Sequence, residues 1–388
     1  MAAASTVYGR RPSLAYVVNS LNPGGTEKLV VDMSLAFATD FDVQVVCLDE
    51  PGKWAPVLRE RGIEVNCVWR QPGMDLSVPR KLAQQFRRRD VDIIHAHQCT
   101  PWFYAALSRL LHSRPRLLLE EHGRFYPELK NRKRALVNRW LIRRLTHAFV
   151  AVSQDIRQRL EAYEGLDARE IDVVYNGITA PAALAAEDRI ALRASFGIRP
   201  DDFVVGTVGR FDSIKNLPML VKALAEVGSI DPAVRGLLVG DGPVMASIKS
   251  LVASTAMADR IHLAGYRSDA GNLTQCMDLF VLSSLSEGTS MALLEAMAAG
   301  VPCAVTAVGG NPEIVLGGST GWTVPSDDSA ALALVMRSAV AADGPRRGYA
   351  QGGKSRYIEH FTARRMIEAY RAQYQRLLES VPGRRDVP

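Results

Sequence analysis

The stretch that decides the fold of this chain is Phe203-Val-Val-Gly-Thr-Val-Gly-Arg-Phe-Asp-Ser-Ile-Lys-Asn216. Its first six residues form an apolar run of strand length, and a polar turn that opens with glycine follows them. The spacing of apolar residues then predicts a helix over 218–227, and a second apolar run follows at 236–239. A strand, a helix and another strand in this order are typical of a βαβ unit with parallel strands.

The same alternation extends along both halves of the chain. In the second half, further strands are predicted at 261–263, 279–282 and 303–306, and further helices at 244–254 and 291–299. In the first half, strands are predicted at 14–19, 43–48, 64–68, 93–95, 116–120, 148–153 and 172–175, with helices between them. The alternation of strands and helices is interrupted in the segment 176–202, which is predicted to link two domains. We therefore expect an α/β protein with two Rossmann-like, doubly wound domains.

Composition and charge exclude several classes of protein. The 388 residues are 47% hydrophobic and 23% charged, which is close to the average of soluble globular proteins and excludes collagen-like and largely disordered chains. The net charge of +6 arises in the first half, where residues 1–176 hold 26 Lys and Arg against 20 Asp and Glu, whereas residues 177–388 hold 21 of each. No RNA-binding aromatic signature or helix-turn-helix pattern accompanies this charge, so no nucleic-acid partner is predicted.

The sequence also predicts a cytoplasmic protein. Its apolar runs are too short or too interrupted to span a membrane, and arginines follow the small residues at its N-terminus, which inverts the order of a signal peptide. The five cysteines are an odd number without a Cys-x-x-Cys pair, so we expect reduced cysteines in the core.

Three polar motifs follow predicted strands. Asn22-Pro-Gly-Gly-Thr-Glu27 opens a helix, where glycine lets backbone N–H groups approach an anion at the positive helix end. It lacks the third glycine of a dinucleotide fingerprint and the lysine of a P-loop, which disfavours nicotinamide and ATP. In Gly209-Arg-Phe-Asp-Ser-Ile-Lys-Asn216, Arg210 and Lys215 can neutralise a diphosphate without a metal, although a solvated loop is an equal alternative.

The third motif, Ser286-Glu-Gly-Thr-Ser-Met-Ala-Leu-Leu-Glu295, is the most specific. Thr289 or Ser290 can cap the helix that begins at Met291, leaving N–H groups for a phosphate. Glu295 interrupts the apolar face of this helix, and a carboxylate there needs partners such as vicinal hydroxyls or a core salt bridge.

These motifs together resemble those of the retaining glycosyltransferases of the GT-B fold, the large family 4 group. The resemblance covers roughly residues 14–380, and it extends to Asn176-Gly177, Gly240-Asp-Gly-Pro243 and Val308-Gly-Gly-Asn-Pro-Glu313. It implies an acceptor-side domain over 1–180, a donor-binding domain over 200–361, an interdomain cleft, and a last helix at about 362–380 that crosses back to the first domain. Many relatives carry Phe-Gly or Leu-Pro where this chain has Thr289-Ser290.

The resemblance also implies roles for single residues. Arg210 and Lys215 would bind the donor diphosphate, Glu287 the donor sugar near the reaction centre, and Glu295 the ribose hydroxyls. His122 would be an active-site histidine that faces the donor sugar, although a histidine at a strand end is more often structural. Further donor contacts are expected at Gly24, Gly25, Gly209, Thr289, Ser290, Met291, Ala292 and Leu293, and acceptor-side contacts at His97 and Arg124.

No cofactor and no metal are predicted. His95 and His97 alternate along one strand face, but no acidic residue follows them at the spacing of a metal ligand. The implied reaction moves a sugar from a UDP- or GDP-sugar to an acceptor hydroxyl with retention. A nucleotide-sugar epimerase or hydrolase on the same fold and a catalytically dead sugar-nucleotide-binding module are the alternatives; a phosphorylase would need a pyridoxal-binding lysine and usually a longer chain.

A basic segment at 125–144 follows His122. Leu136, Trp140 and Leu141 recur at helical spacing among lysines and arginines, a composition that can rest on anionic lipid. The alternative is a helix packed on the first sheet, with Trp140 and Leu141 in the core. The membrane interpretation predicts peripheral association with the inner face of the cytoplasmic membrane and a lipid-linked or polysaccharide glycan as the acceptor.

Overall fold

The computed structural model describes residues 10–123 and 130–380. The chain forms two compact units, one of Met1–Tyr175 with Met366–Pro388 and one of Asn176–Arg365. Each unit has its own hydrophobic core, built from strand residues and from the helix faces that pack on them. Within the described residues, no helix has both the length and the apolar character needed to cross a membrane.

The first unit contains a parallel sheet whose seven described strands are buried by helices. The strands are β1 (Ser13–Val18), β2 (Asp42–Cys47), β3 (Glu64–Cys67), β4 (Ile93–His97), β5 (Arg116–Glu121), β6 (Ala148–Ala151) and β7 (Ile171–Val173). Their order is β3-β2-β1-β4-β5-β6-β7. The strands β2 and β3 therefore lie on one side of β1, and β4 to β7 lie on its other side. Near-continuous apolar sequences form these strands because both faces of a parallel sheet are covered.

The helices of the first unit cover the sheet with their apolar residues, except Arg132–Val137, none of whose residues is buried. They span Gly25–Phe37, Ala55–Glu60, Val78–Arg88, Cys99–Ser108, Arg132–Val137 and Gln154–Arg159, with π-helical turns at Asn138–Ile142 and Leu160–Glu164 and 3₁₀ turns at Arg143–Leu145 and Ala168–Glu170. The last helix, Ala363–Glu379, buries Met366, Tyr370, Tyr374 and Leu377. The ring of Tyr374 packs edge-on against Phe37, with ring centroids 4.9 Å apart.

The second unit repeats this architecture with six described parallel strands. They are β8 (Phe203–Val208), β9 (Val234–Val239), β10 (Ile261–Gly265), β11 (Leu279–Leu282), β12 (Cys303–Thr306) and β13 (Trp322–Val324), in the order β10-β9-β8-β11-β12-β13. The helices span Ala186–Ala194, Leu217–Ile230, Met245–Ala253, Ala270–Gln275, Met291–Ala299, Asn311–Ile314, Ser329–Ala341 and Asp343–His360, and Ser213–Lys215 is a 3₁₀ turn.

The predicted fold class of two Rossmann-like, parallel-sheet domains is confirmed. The structure contains elements that were not predicted from the sequence, among them β13 and the helices Ser329–Ala341 and Asp343–His360. Strand β13 was not predicted, because three residues beside a glycine-rich turn carry too little periodicity. The segment 176–202, interpreted as a linker with a polar helix-like stretch, contains the helix Ala186–Ala194, whose Arg193 is buried and bonds Asp278 at 2.7 Å.

Candidate active site

In the second unit, the loops after β8 and β11 meet at the carboxyl edge of the sheet. These strands are neighbours although β9 and β10 separate them in sequence, and open α/β sheets bind ligands at such a switch point. The amide of Leu285 donates to the carbonyl of Ile214 at 2.7 Å, and Ser283 Oγ donates to the carbonyl of Lys215 at 2.9 Å. These two bonds hold the loop after β11 against the Ser213–Lys215 turn.

The two loops bring Lys215 and Glu287 together. Nζ of Lys215 lies 2.5 Å from Oε1 of Glu287, and the exposed fractions of the two side chains are 24% and 10%. Ser284 Oγ donates to the same carboxylate oxygen at 2.6 Å. Because an ammonium group has three donors, Lys215 can keep this pair and still donate to an anion that enters from solvent.

Glycine explains why Glu287 takes this position. Gly309 has a φ of +54°, and a Cβ built there would lie 1.9 Å from the carbonyl oxygen of Glu287. The next residue, Gly310, donates its amide to that same oxygen at 3.1 Å. The loop after β12 therefore supports the backbone of Glu287 through a contact that leaves no room for a side chain.

The helix Met291–Ala299 begins beside this pair. Ser290 is its N-cap residue, and the Ser290 hydroxyl accepts from the amide of Leu293 at 3.4 Å. The carbonyl of Thr289 accepts from Asn176 Nδ2 at 3.2 Å, which explains why Asn176-Gly177 accompanies the other motifs. Met291 and Ala292 are half-buried in the first turn, where the positive end of a helix stabilises an anion, and Glu295 is half-buried one turn further along.

Arg210 does not join the Lys215–Glu287 pair. Its side chain is 68% exposed, and its Nε lies 3.9 Å from Asp212 Oδ2. Gly209 follows β8 directly, and its carbonyl is covered by Gly240, where a Cβ would lie 1.8 Å from that oxygen. The structure thus places Arg210 on the same loop as Lys215 but with its guanidinium in solvent.

In the first unit, a buried cluster surrounds Glu120. His97 and Glu120 are register partners on the adjacent strands β4 and β5, and His122 follows β5 directly. Nδ1 of His97 lies 2.8 Å from Nε2 of His122 and 3.3 Å from Oε2 of Glu120. Nε2 of His95 lies 2.9 Å from the same Glu120 oxygen.

The last helix completes this cluster. The hydroxyl of Tyr374 lies 2.7 Å from Nδ1 of His95 and 3.2 Å from the hydroxyl of Tyr16. Because Tyr374 belongs to the helix Ala363–Glu379, a contact that is 279 residues apart in sequence joins that helix to β4.

Burial controls the protonation of the cluster. Burial lowers the pKa of His97 well below the ordinary value of histidine. Burial also lowers the pKa of His122, and the negative charge of Glu120 offsets only part of this decrease. Burial alone would raise the pKa of Glu120, but the facing His122, His95 and His97 lower it overall. We therefore expect an ionised Glu120 and neutral rings at His97 and His122 near neutral pH.

No acidic residue follows His95 and His97 at ligand spacing in the sequence, but the fold brings one to them. Glu120 reaches them from the neighbouring strand, and one ligand atom from each of the three residues lies within 4.8 Å of the others, as in a possible metal site. The rings of His95 and His97 are stacked, however, with centroids 4.2 Å apart and an interplanar angle of 23°. Stacked imidazoles direct their in-plane lone pairs side by side rather than at one point, which does not favour a shared metal ion.

Gly24, Gly25 and Arg124 are the remaining predicted site residues of the first half of the chain. Gly24 is the N-cap residue of the helix that begins at Gly25, and its carbonyl accepts from the amide of Lys28 at 3.0 Å. Arg124 lies outside the described residues. Sequence reasoning assigned no role to Glu120, Ser284 or Tyr374. A carboxylate in β5, directly after the apolar run 117–119, was the one signal that pointed to Glu120.

Comparison with known protein families accounts for both units. The model of Glycosyltransferase Family 4 matches residues 23–180, and the model of Glycosyl transferases group 1 matches residues 202–341. The two models together span more than half of the chain. The chain belongs to the group 1, family 4 glycosyltransferases.

Relatives of this glycosyltransferase act on different acceptors. It is 26% identical over 321 residues to N-acetyl-alpha-D-glucosaminyl L-malate synthase of Bacillus anthracis, covering 80% of this chain and 81% of that protein. It is 25% identical over 299 residues to UDP-Gal:alpha-D-GlcNAc-diphosphoundecaprenol alpha-1,3-galactosyltransferase of Escherichia coli, covering 74% and 77%.

Solved structures confirm the GT-B fold of the glycosyltransferase. Anabaena Alr3699/HepE in complex with UDP superposes with a TM-score of 0.82 at 22% identity, covering 94% of this chain and all of that one. The predicted family and the predicted enzyme class are therefore confirmed, while the roles of single residues stay predictions.

Proposed function

We propose that this glycosyltransferase moves a sugar from a UDP- or GDP-sugar to an acceptor hydroxyl, with retention of the anomeric configuration and without a metal ion. The observation that carries the proposal is the Lys215–Glu287 ion pair beside the Ser290-capped helix. One edge of one sheet thus offers a cation, a positive helix end and a carboxylate, which are the groups that a diphosphate and a sugar hydroxyl require.

The leaving group is the first part of the reaction that these residues serve. When the bond between the anomeric carbon and the phosphate oxygen breaks, negative charge builds on the β-phosphate. Lys215 and the N-terminus of the helix Met291–Ala299 would stabilise that charge, and Arg210 would fold in from solvent to add a second cation. Cations supplied by the protein would then take the place of Mg²⁺.

Retention requires that the new bond form on the face from which the phosphate leaves. The acceptor oxygen would bond to the anomeric carbon as the phosphate departs, and the acceptor proton would pass to the leaving phosphate oxygen. Glu287 would hold a hydroxyl of the donor sugar, and Glu295 would hold the ribose hydroxyls. His122 would face the donor sugar from the first unit.

A glycan acceptor at a membrane surface is the second part of the proposal. Leu136, Val137, Trp140 and Leu141 have exposed fractions of 59%, 44%, 56% and 42%, so the alternative that Trp140 and Leu141 are core residues is wrong. The guanidinium carbons of Arg139 and Arg144 lie 6.0 and 5.7 Å from the Trp140 ring centroid. A lipid-linked acceptor is supported by the name of the Escherichia coli relative, whereas the Bacillus anthracis relative is named for a small acceptor.

The experiment that tests the proposal follows release of nucleoside diphosphate from a panel of UDP- and GDP-sugars. Release that depends on an added glycan acceptor is expected, and it should persist in excess EDTA. Proton NMR of the product should show the anomeric configuration of the donor. Release that is independent of acceptor would favour an epimerase or hydrolase, an inverted product would exclude retention, and thermal stabilisation by a nucleotide sugar without turnover would indicate a binding module.

A further inference from the structure

His122 is held through one ring nitrogen, and this contact decides which nitrogen carries the proton. Nε2 of His122 lies 2.8 Å from Nδ1 of His97, so one hydrogen is shared between them. His122 is 8% exposed, and its Nδ1 has no hydrogen-bond partner among the described residues. The direction of the His97–His122 bond therefore decides whether Nδ1 of His122 is a donor or an acceptor.

Glu120 determines the direction of that bond. Its Oε2 lies 3.3 Å from Nδ1 of His97 and 2.9 Å from Nε2 of His95, and its Oε1 lies 3.5 Å from Nε2 of His122. Because a buried carboxylate can only accept, it favours the shared hydrogen on the nearer of the two nitrogens that share it, which is Nδ1 of His97 rather than Nε2 of His122. Nδ1 of His97 is then a donor, its hydrogen lies between the carboxylate and His122, and Nε2 of His122 accepts with its lone pair.

We infer that Glu120, acting through His97, holds His122 in the tautomer with its proton on Nδ1, so that the ring presents a hydrogen-bond donor to an oxygen of the donor sugar. Glu120 and His97 are positioning residues in this arrangement, since they act through His122. The ligand role of His122 rests on the proposed function; the tautomer does not.

Other groups around the cluster are consistent with this assignment. The rings of His97 and His122 are nearly parallel, at 17°, and the lowered pKa of each makes the neutral form, for which a tautomer is defined, the relevant one. The Tyr374 hydroxyl, 2.7 Å from His95 Nδ1, can donate there while His95 Nε2–H faces Glu120. The last helix thus supports the carboxylate that orients His122.

The test records long-range proton–nitrogen spectra of the full chain labelled with ¹⁵N-histidine, with His122 assigned from its loss in His122→Gln. The wild type is expected to show the proton on Nδ1. His97→Leu removes the donor and should shift His122 towards the Nε2 form, whereas His97→Asn, whose amide nitrogen replaces Nδ1, should restore the wild-type signal. Glu120→Gln should mix the two forms, because an amide can present either a donor or an acceptor to His97.

Kinetics supply the second readout. His97→Leu should lower kcat by roughly 10- to 100-fold, the range for partners that orient a histidine, with unchanged affinity for nucleoside diphosphate, and His97→Asn should recover most of it. His147→Asn, at the amino end of the neighbouring strand, is the matched histidine control and should change neither the tautomer nor kcat.

Two outcomes overturn the inference: a proton on Nε2 of His122 in the folded wild type, or a tautomer that His97→Leu and Glu120→Gln both leave unchanged. Failure of the proposed function is distinguishable from these. If the tautomer responds as expected while kcat stays at the wild-type value, the positioning network stands and His122 has no role in sugar transfer.

Discussion

Nζ of Lys215 and Oε1 of Glu287 lie 2.5 Å apart although 72 residues separate them in sequence. Each residue follows a different strand, and the two strands are neighbours at the switch point of the second sheet. The pair therefore couples the proposed phosphate site to the proposed sugar site, and substitutions on its two sides should have separable effects.

Lys215→Ala is expected to reduce transfer by roughly 100- to 1000-fold, the loss that follows removal of one charged contact to a developing oxyanion. Arg210→Ala should reduce it as well, because its exposed guanidinium is free to reach the phosphate. Initial rates at saturating donor measure both effects. Lys222→Ala, an exposed lysine on the helix Leu217–Ile230, is the matched control. Wild-type rates in both Arg210→Ala and Lys215→Ala would remove the diphosphate assignment.

Glu287→Gln and Glu295→Gln should differ in kind. Glu287→Gln is expected to lower kcat with little change in nucleotide affinity, since Glu287 is placed at the reaction centre. Glu295→Gln should weaken binding of nucleoside diphosphate, because ribose hydroxyls are held alike in the ground state and the transition state. Calorimetric titration alongside steady-state kinetics separates the two. Unchanged nucleotide affinity in Glu295→Gln would contradict the ribose role.

Gly309→Ala should lower stability and kcat by more than the left-handed backbone conformation of this residue alone explains. The left-handed conformation costs a non-glycine residue about 1 kcal/mol, and the new Cβ would also collide with the carbonyl of Glu287. Gly318→Ala is the matched control, because Gly318 has a φ of +76° and open space around its Cβ position. We expect a larger drop in melting temperature and in kcat for Gly309→Ala; equal effects in the two variants would mean that the contact with Glu287 is unimportant.

Acid should destabilise the first unit partly through His147. Burial first, and then Arg109 and Arg116, lower the pKa of His147 to about 3, from 6.5 in the unfolded chain. Between these values the unfolded chain binds more protons, so stability is present above about pH 6.5 and is lost as the pH falls towards 3. At about pH 4.5 the loss would be about 1 to 2 kcal/mol, after allowance for the partial exposure of the ring.

The melting temperature at about pH 7 and pH 4.5 tests this contribution. Nδ1 of His147 accepts from the amide of Leu117 at 3.1 Å, and the side-chain oxygen of His147→Asn can accept that bond without titrating. This variant should lose less stability than the wild type between the two pH values. His360→Asn, at an exposed histidine, should behave as the wild type. Equal acid sensitivity of His147→Asn and the wild type would contradict the assignment.

The exposed apolar and basic surface at 132–144 should bind anionic liposomes but not neutral ones. About 0.5 M salt should weaken the binding, because the Debye length then falls to a few ångströms. Lys133, Arg139 and Arg144 are the charges to replace with Ser, since Arg134 and Arg143 pair with Glu164 and Glu170 and their loss would also affect stability.

The matched control for this surface replaces Arg61, Arg80 and Arg88, which are exposed elsewhere on the first unit. Sedimentation with vesicles should show reduced binding only for the triple variant of Lys133, Arg139 and Arg144, with donor affinity unchanged in both. Equal recovery of the wild-type protein in the supernatant with anionic and neutral vesicles would exclude a membrane role.

Local sequence determined the strands and helices of this protein and the motifs that follow the strands. Apolar runs bounded by polar turns predicted β8, β11 and β12 at their observed ends, because a strand buried on both faces needs a continuous apolar sequence. The spacing of apolar residues predicted the helix Met291–Ala299 within its observed bounds. The motifs that lie after these strands then carried the family assignment, since parallel strands all present their following loops at one edge.

Tertiary structure alone decided which of those residues meet. The order of the strands, which brings β8 beside β11 and β4 beside β5, is a property of the whole sheet, and it creates the Lys215–Glu287 and His97–Glu120 contacts. The exposure of Trp140 and the approach of Tyr374 to His95 likewise depend on packing partners distant in sequence. The type and spacing of apolar residues indicate which face of a helix or strand a residue occupies. Its partner on the neighbouring strand is set by contacts between segments that are distant in sequence, and local periodicity contains no information about those contacts.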